Sequence, residues 1–319
     1  MQLPDAQSAA VTFYIVIVLY KTEPLNSITY RSLLRSLAEP MECVPDYKIL
    51  LYDNTPTTQR AEDFPHFVEY RASNVNTGLS DAYNLAVAQA QLQGFEWLLT
   101  LDQDTDLPVD FIQNLTKVAK NFSTRPEIAA VVPHVSTGAR DVSPNWFAGG
   151  VFPRWFPKGY QGAPDQAVYA FNSGTLIRVS VVMSIGGYSP LFWLDYCDGY
   201  IYRQIEKSGL KVYIAGHIHL QHDFSLLDAS NKMSLFRYQN ALEAGSAFYD
   251  LEMSWLAGAD QTLRLLLRYI KQCLHRDNPA IRRATITMFF RRLFVPRARR
   301  TREWVNAQNL RIQQTSLRM

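Results

Sequence analysis

The chain has 319 residues, 47% of them apolar and 19% charged, which excludes a disordered or fibrous protein and is enough to bury a large core in one large domain or two smaller ones. Three scattered cysteines, Cys43, Cys197 and Cys273, exclude a disulfide framework and point to a reducing, cytoplasmic setting. The net charge of +3 conceals an asymmetry: from Thr262 to Met319 fourteen Arg and Lys stand against Asp277 and Glu303, a local +12 that leaves −9 for residues 1–261.

In chain order, Val11 to Tyr20 is β-branched and aromatic, the composition of a central strand, and is about half the length a bilayer span needs. With Asp5 and no basic cluster ahead of it, neither a signal peptide nor a membrane helix is expected. Leu25 to Leu37 has helical apolar spacing. A second strand, Tyr47 to Tyr52, runs into Asp53 and Asn54, and Phe67 to Tyr70 reads as a third. The polar segment Arg71 to Ser80 leads into a helix over Asp81–Ala90. Gly78 there would let backbone approach a ligand, and the first helical N–H groups favour an anion; the plainer reading is a loop with Ser80 as N-cap.

Trp97 to Asp102 is an apolar run that ends abruptly in Asp102, Asp104 and Asp106. It reads as a strand buried on both faces, and open α/β sheets bind ligands at such C-terminal ends. In extended backbone Asp102 and Asp104 would project to one side and share a hard cation, Mg²⁺ or Mn²⁺, or the diphosphate that carries it. Asp106 reads instead as the start of the helix that follows. Phe111 to Phe122 is then helical and Ile128 to Val132 a strand. From Pro133 to Asp165, Gly and Pro recur among Trp146, Phe147, Trp155, Phe156 and Tyr160, a long aromatic loop region whose rings suit sugar faces or simple packing. Strands are expected at Val168–Phe171 and Gly174–Arg178, and a short helix at Val179–Ile185. Asp195 and Asp198, three apart, precede a helix through Lys207, where they act on one face or serve as caps. Lys211–Ala215 is a strand, followed by His217, His219 and His222, one or more of which is a candidate metal ligand.

The order and spacing of Tyr52-Asp-Asn54, Asn76 to Asn84, Leu101-Asp-Gln-Asp-Thr105, Ser173-Gly-Thr175, Ile185-Gly-Gly-Tyr188, Phe192 to Asp198 and His222 resemble the family 2 glycosyltransferases of the GT-A fold, most closely their bacterial rhamnosyltransferase-like branch. The resemblance runs from about Val16 to His222. It implies a mostly parallel α/β sheet flanked by helices, with a catalytic domain over 1–228 and a basic helical region over 229–319. Within the catalytic domain, 1–105 would bind nucleotide and 106–228 the acceptor. It implies that Tyr20, Asp53, Asn76, Gly78 and Asp102 lie against a nucleotide sugar, that Asp104 and His222 hold the metal, and that Trp193 and Ser173 meet the acceptor. Asp198 matches the catalytic base. In that branch an acid follows two residues later, where this chain has Tyr200, and the expected Arg is off register as Arg203, so Asp195 stands as a substitute base.

That resemblance implies inverting sugar transfer, with deoxythymidine-diphosphate rhamnose (dTDP-rhamnose) as the leading donor and a saccharide acceptor, lipid-linked, in cell-surface polysaccharide synthesis. Such a displacement needs charge neutralised on the departing diphosphate and one base for the acceptor hydroxyl, with no covalent intermediate. The competing readings are a metal-dependent hydrolase built from Asp102, Asp104, His217, His219 and His222, and a non-catalytic membrane-docked scaffold. Dinucleotide and ATP sites are not expected, for want of G-x-G-x-x-G or G-K-[ST]. In the tail, Thr262–Ile270 and Ile281–Phe294 interleave arginines with large apolar residues. This pattern suits an anionic membrane surface at the inner face of the cell membrane, packing on the catalytic domain, a homo-oligomer interface, or nucleic acid, the last not favoured as a partner. A tail that only docks would leave the nucleotide site intact after truncation at about Gly258.

Overall fold

The structure is a computed structural model and describes residues 11–56, 63–138, 140–222 and 234–317, with the side chain of His222 outside the description. The boundary expected at 228 and 229 also lies outside it. The elements run β1 (Thr12–Leu19), α1 (Ile28–Ala38), β2 (Asp46–Asp53), β3 (Val68–Ala72), α2 (Gly78–Leu92), β4 (Trp97–Asp102), β5 (Thr105–Asp106) and α3 (Phe111–Asn121). There follow β6 (Ile128–Thr137), β7 (Arg140–Ser143), β8 (Asn145–Ala148), β9 (Phe152–Trp155), β10 (Gln161–Gly162), β11 (Thr175–Arg178), α4 (Val179–Ser184), α5 (Cys197–Lys207) and β12 (Lys211–His222). Four helices close the chain: α6 (Leu235–Leu251), α7 (Trp255–Leu274), α8 (Pro279–Phe294) and α9 (Arg297–Ser316).

The continuous apolar runs become interior strands because helices cover both faces of the sheet. Its order is β10-β12-β6-β11-β4-β1-β2-β3, with β5 added to β12 and β7 to β6. The strands β3, β2, β1 and β4 are parallel, β11 is antiparallel to both β4 and β6, and β6 and β12 are parallel. This is a GT-A arrangement, with the C-terminal ends of β1, β2 and β4 along one edge: Leu19 pairs with Asp53, and Val18 with Asp102.

Four local expectations give way. Asp106 does not start a helix: it pairs in β5 with Gln221 and forms an ion pair with Arg35, and Asp110 occupies the N-cap position of α3. The stretch 133–165 is not a loop, because β6 continues to Thr137, β7 pairs with it, and β8 and β9 form a separate hairpin. Tyr169 makes only one bridge, to Asn145, in place of a strand at 168–171. Lys211 to His222 is one strand through the histidines, with an irregularity in its pairing between Ala215 and His219.

The basic tail is partly internal structure. Asp250 on α6 is buried and accepts two hydrogen bonds of 2.8 Å from Arg300, with Arg292 3.4 Å away and also buried. Arg297 donates to the carbonyls of Asp250 and Met253. Trp304 of α9 enters the core that holds Tyr83, Phe192 and Phe248. Truncation at Gly258 would therefore uncover the catalytic core as well as removing a tail.

Removing the Asp250 carboxylate would leave two guanidinium groups buried without their counter-charge. Asp250→Ala is expected to lower unfolding stability by about 3–5 kcal/mol, measured by urea denaturation.

Candidate active site

The acidic turn is built from a strand that ends and a helix that holds it. At Gln103 and Asp104 the chain turns, so Asp104 is not in the extended backbone that would have aimed it alongside Asp102. Thr29 on α1 is fully buried, and its Oγ1 donates to the carbonyls of Asp102 (2.5 Å) and Thr105 (2.9 Å) and accepts from Thr105 N–H (2.8 Å). Ser32 accepts from Leu107 N–H and Ser36 from Ile112 N–H. Residues 29, 32 and 36 share one helix face, so a ladder of hydroxyls clips α1 along the whole segment from 102 to 112.

Gln103 fastens a second edge. Its Oε1 accepts from Tyr20 N–H at 2.8 Å and its amide donates to Tyr20 carbonyl at 3.3 Å, tying the ends of β1 and β4 together and leaving the Tyr20 ring exposed. Asp53 is fully buried and accepts from Thr55 N–H (2.8 Å) and Tyr70 hydroxyl (2.7 Å). Asn54 reaches across to Thr77 N–H and Gly78 carbonyl, which sets the loop containing Asn76.

The start of α2 is not an open anion site. Leu79 and Ser80 N–H donate to the carbonyl of Trp193, Gly78 N–H to Asn76 Oδ1, and Thr77, not Ser80, is the N-cap residue. Gly78 has φ +86°, and a Cβ there would lie 2.2 Å from the Trp193 carbonyl oxygen. The close approach that glycine permits is therefore to Trp193 of the same chain. Trp193 itself is 9% exposed, with the Arg311 guanidinium of α9 4.7 Å over its ring. Ser173 is buried, sharing a 2.6 Å hydrogen bond with Thr105 and accepting from Asp102 N–H, which places it as a support of the acidic turn.

The structure separates Asp195 from Asp198. Asp195 is buried, pairing with Arg237 at 3.0 Å and accepting from Asn240, both on α6. Burial raises its pKa, and Arg237 and Asn240 oppose that shift. Tyr196 between them sits in the left-handed region at φ 66°, its ring against Phe248 and its hydroxyl over Gly245. Beyond that turn, Asp198 accepts from Gly199 N–H at 2.7 Å. Its pKa is pushed up to about 6, by burial first and then by the charges of Asp102 and Asp195, against the Gly199 hydrogen bond. Tyr83, fully buried, has its hydroxyl 3.5 Å from Asp102 Oδ1, and burial followed by the Asp102 charge holds its phenol well above the ordinary value. Asp102, Tyr83 and Asp198 thus occupy one electrostatic neighbourhood.

The three histidines divide. His217 is exposed. His219 lies 5.3 Å from the ring of buried His134, which is 3.1 Å from Asp141, and burial followed by His134 lowers its pKa. Residue 222 pairs in the sheet with Thr105, beside Asp104. Among the described residues, which leave out the His222 side chain, no three His, Cys, Asp or Glu side chains are grouped to hold a metal ion. Tyr200 packs on Phe192, and Arg203 on Glu206 and the Glu252 carbonyl.

Thr29, Gln103, Tyr83, Arg237 and Asn240 were missed as site residues. The only sequence trace of the first is the polar spacing Thr29, Ser32, Ser36 on a helix face otherwise apolar.

With sheet order, acidic turn and flanking helices defined, the class is a GT-A glycosyltransferase. The profile of Glycosyl transferase family 2 matches residues 14–186, more than half of the chain, and the chain belongs to that family. No curated protein sequence matches it. Among solved structures it is similar to residues 1–349 of S. aureus TarS in complex with UDP-GlcNAc, with a TM-score of 0.54 and 12% identity over 90% of this chain and 82% of that one. It is also similar to GalNAc-T7 with UDP, GalNAc and Mn²⁺, with a TM-score of 0.47 and 15% identity over 76% of this chain. The chain spans 50% of the GalNAc-T7 chain and 43% of a longer TarS chain.

Thr29→Val keeps the shape of the side chain and removes the hydroxyl from three backbone partners. It is expected to cost about 1–3 kcal/mol of unfolding stability. It should also weaken nucleotide-diphosphate binding with Asp102 and Asp104 unchanged, as calorimetric titration would show.

Proposed function

We propose that this chain is an inverting, metal-dependent transferase. It moves a sugar from a nucleoside diphosphate, dTDP-rhamnose by the branch it resembles, to a lipid-linked saccharide at the inner face of the cell membrane. The observation that carries the reading is the pairing of an anchored acidic turn at the end of β4 with a carboxylate, Asp198, whose pKa burial and the Asp102 charge push up to about 6. The family supports nucleotide-sugar transfer, and the UDP-GlcNAc in the TarS structure is in keeping with a diphosphate donor.

Two carboxylates on a fixed turn, with residue 222 beside them in the sheet, are a donor set of hard oxygens with a histidine position, which fits Mg²⁺ or Mn²⁺. Held by Asp104 and His222, with Asp102 toward the ribose or phosphate, such an ion supplies positive charge against the departing diphosphate. The chain's own residues do the rest. Tyr20, held by its backbone to Gln103, presents an exposed ring for a nucleotide base, with Asp53 and Asn76 shaping the adjoining edge. Asp198 takes the proton of the acceptor hydroxyl as that oxygen attacks the anomeric carbon and the bond to the diphosphate breaks. A pKa of about 6 leaves it ionised at neutral pH yet more basic than an ordinary aspartate. Asp195, engaged on α6, positions the turn that carries Asp198. Trp193 supports the acceptor side from within the protein, and Ser173 supports the acidic turn.

Asp198→Asn should leave donor binding nearly intact and lower turnover about a hundredfold or more. In the wild type, Asp198 is protonated below its pKa, so kcat/KM should fall with decreasing pH through a limb near 6 that the variant lacks. A fully active Asp198→Asn with a dead, correctly folded Asp195→Asn would exchange the two roles.

Asp104→Ala is expected to abolish the Mn²⁺-dependent part of nucleotide-diphosphate affinity while the protein stays folded. Titration calorimetry with and without the ion measures it, and unchanged metal dependence would remove Asp104 from the site.

A further inference from the structure

Helix α7 reverses the arrangement expected of a helix at a protein surface. Its buried line is Ala257, Gly258, Leu265 and Gln272. Leu256, Leu263, Leu267, Ile270 and Leu274 follow at intervals of seven, four, three and four, one stripe of a helix turning about 100° per residue. That stripe is centred opposite the buried line, where a solvated helix carries its charges, and its members are 46–78% exposed. Trp255, 71% exposed, stands at the start of the same helix. On α8 the buried line is Ile281, Thr285, Met288 and Arg292, and Phe290 and Phe294 stand opposite it, exposed and stacked on each other at 6.0 Å. Exposed apolar surface of this extent and order marks an interaction face.

Charge selects the occupant. Leaving aside Arg292, buried on Asp250, residues 255–294 carry seven Arg and Lys against Asp260 and Asp277, +5. A second copy docked about a twofold axis would bring the same +5 against itself across an apolar seam. Nucleic acid would be held by the guanidinium groups and would leave the leucines in water. An anionic bilayer surface satisfies both components, apolar side chains entering between headgroups and basic ones meeting phosphate. No helix of the described residues is long and apolar enough to cross a membrane, so the geometry is that of a helix lying in the interface.

We propose that the outward face of α7, with Phe290 and Phe294 of α8, is a docking surface for anionic phospholipid. Leu263, Leu267 and Ile270 insert, Arg268 and Lys271 contact headgroup phosphates, and Arg264 stays paired with Asp260. The assignment rests on this face alone; it also deepens the transferase reading by bringing the enzyme to the surface where a lipid-linked acceptor resides.

The test centrifuges the full chain with vesicles of equal parts phosphatidylcholine and phosphatidylglycerol, with phosphatidylcholine vesicles, and alone, at low and high salt. Light scattering gives the oligomeric state. The protein should pellet with the anionic vesicles only and be released by salt. The double variant Leu263→Glu, Leu267→Glu, at two exposed positions, should bind those vesicles about tenfold or more weakly with nucleotide-diphosphate affinity unchanged. Absence of pelleting at low salt, or equal pelleting of the variant, would overturn the assignment. A wild-type dimer that the variant splits, without vesicle binding, would give the face to a second copy. Vesicle binding is measured with neither donor nor acceptor, so a failure of sugar transfer leaves this result standing and the reverse also holds.

Discussion

The turn at the end of β4 that carries Asp102 and Asp104 is held by a group outside itself. Here the holding group is the Thr29 hydroxyl, which meets two carbonyls and one N–H of the turn at once. Being buried, it exchanges no partner with water, and its loss would remove one partner from each of three backbone groups. The rest of the site is arranged around that fixed point. Gln103 carries the constraint to β1 and Tyr20, Ser173 carries it to β11, and the helix that bears Thr29 extends it through Ser32 and Ser36 to α3.

A second level of organisation lies where the C-terminal helices pack against the segment from Trp193 to Tyr196. Arg237 and Asn240 of α6 hold Asp195, Gly245 makes room for Tyr196, and Arg311 of α9 covers Trp193. The left-handed Tyr196 lies between Asp195, which faces α6, and Asp198 at the start of α5. Asp195 is thereby engaged by Arg237 and Asn240, while Asp198 takes its hydrogen bond from Gly199 N–H.

Much of this fold was legible in the chain. Strands such as Tyr47–Tyr52 and Trp97–Asp102 are buried on both faces, so apolar content alone marks them, and the acids at their ends mark the ligand edge. The hairpin at 145–155 was not legible, because its Gly, Pro and aromatic residues read equally as a loop when no core-facing alternation is present. Asp106 misled for a related reason: an acid ahead of Pro108 has the chemistry of a helix start, and only tertiary pairing with β12 and Arg35 takes it into a strand. The roles of Asp195 and Asp198 could not be separated from spacing, since the groups that distinguish them arrive from residues 237 and 240. The tail's arginines carried a true signal of charge but a mixed one: Arg292 and Arg300 are spent inside the protein and Arg297 on backbone carbonyls, while those on α7 remain at its surface.

Trp193 offers its carbonyl to the start of α2 and its ring to Gly78, with no room left between them. Positions 78 and 193 are therefore one unit of inheritance. A lineage can alter the aromatic residue only if the replacement backbone still reaches Leu79 and Ser80, and it can alter the glycine only after the turn at 193 has withdrawn. Sequence change in proteins built this way is channelled away from that turn, toward surrounding segments whose backbones carry no such double duty.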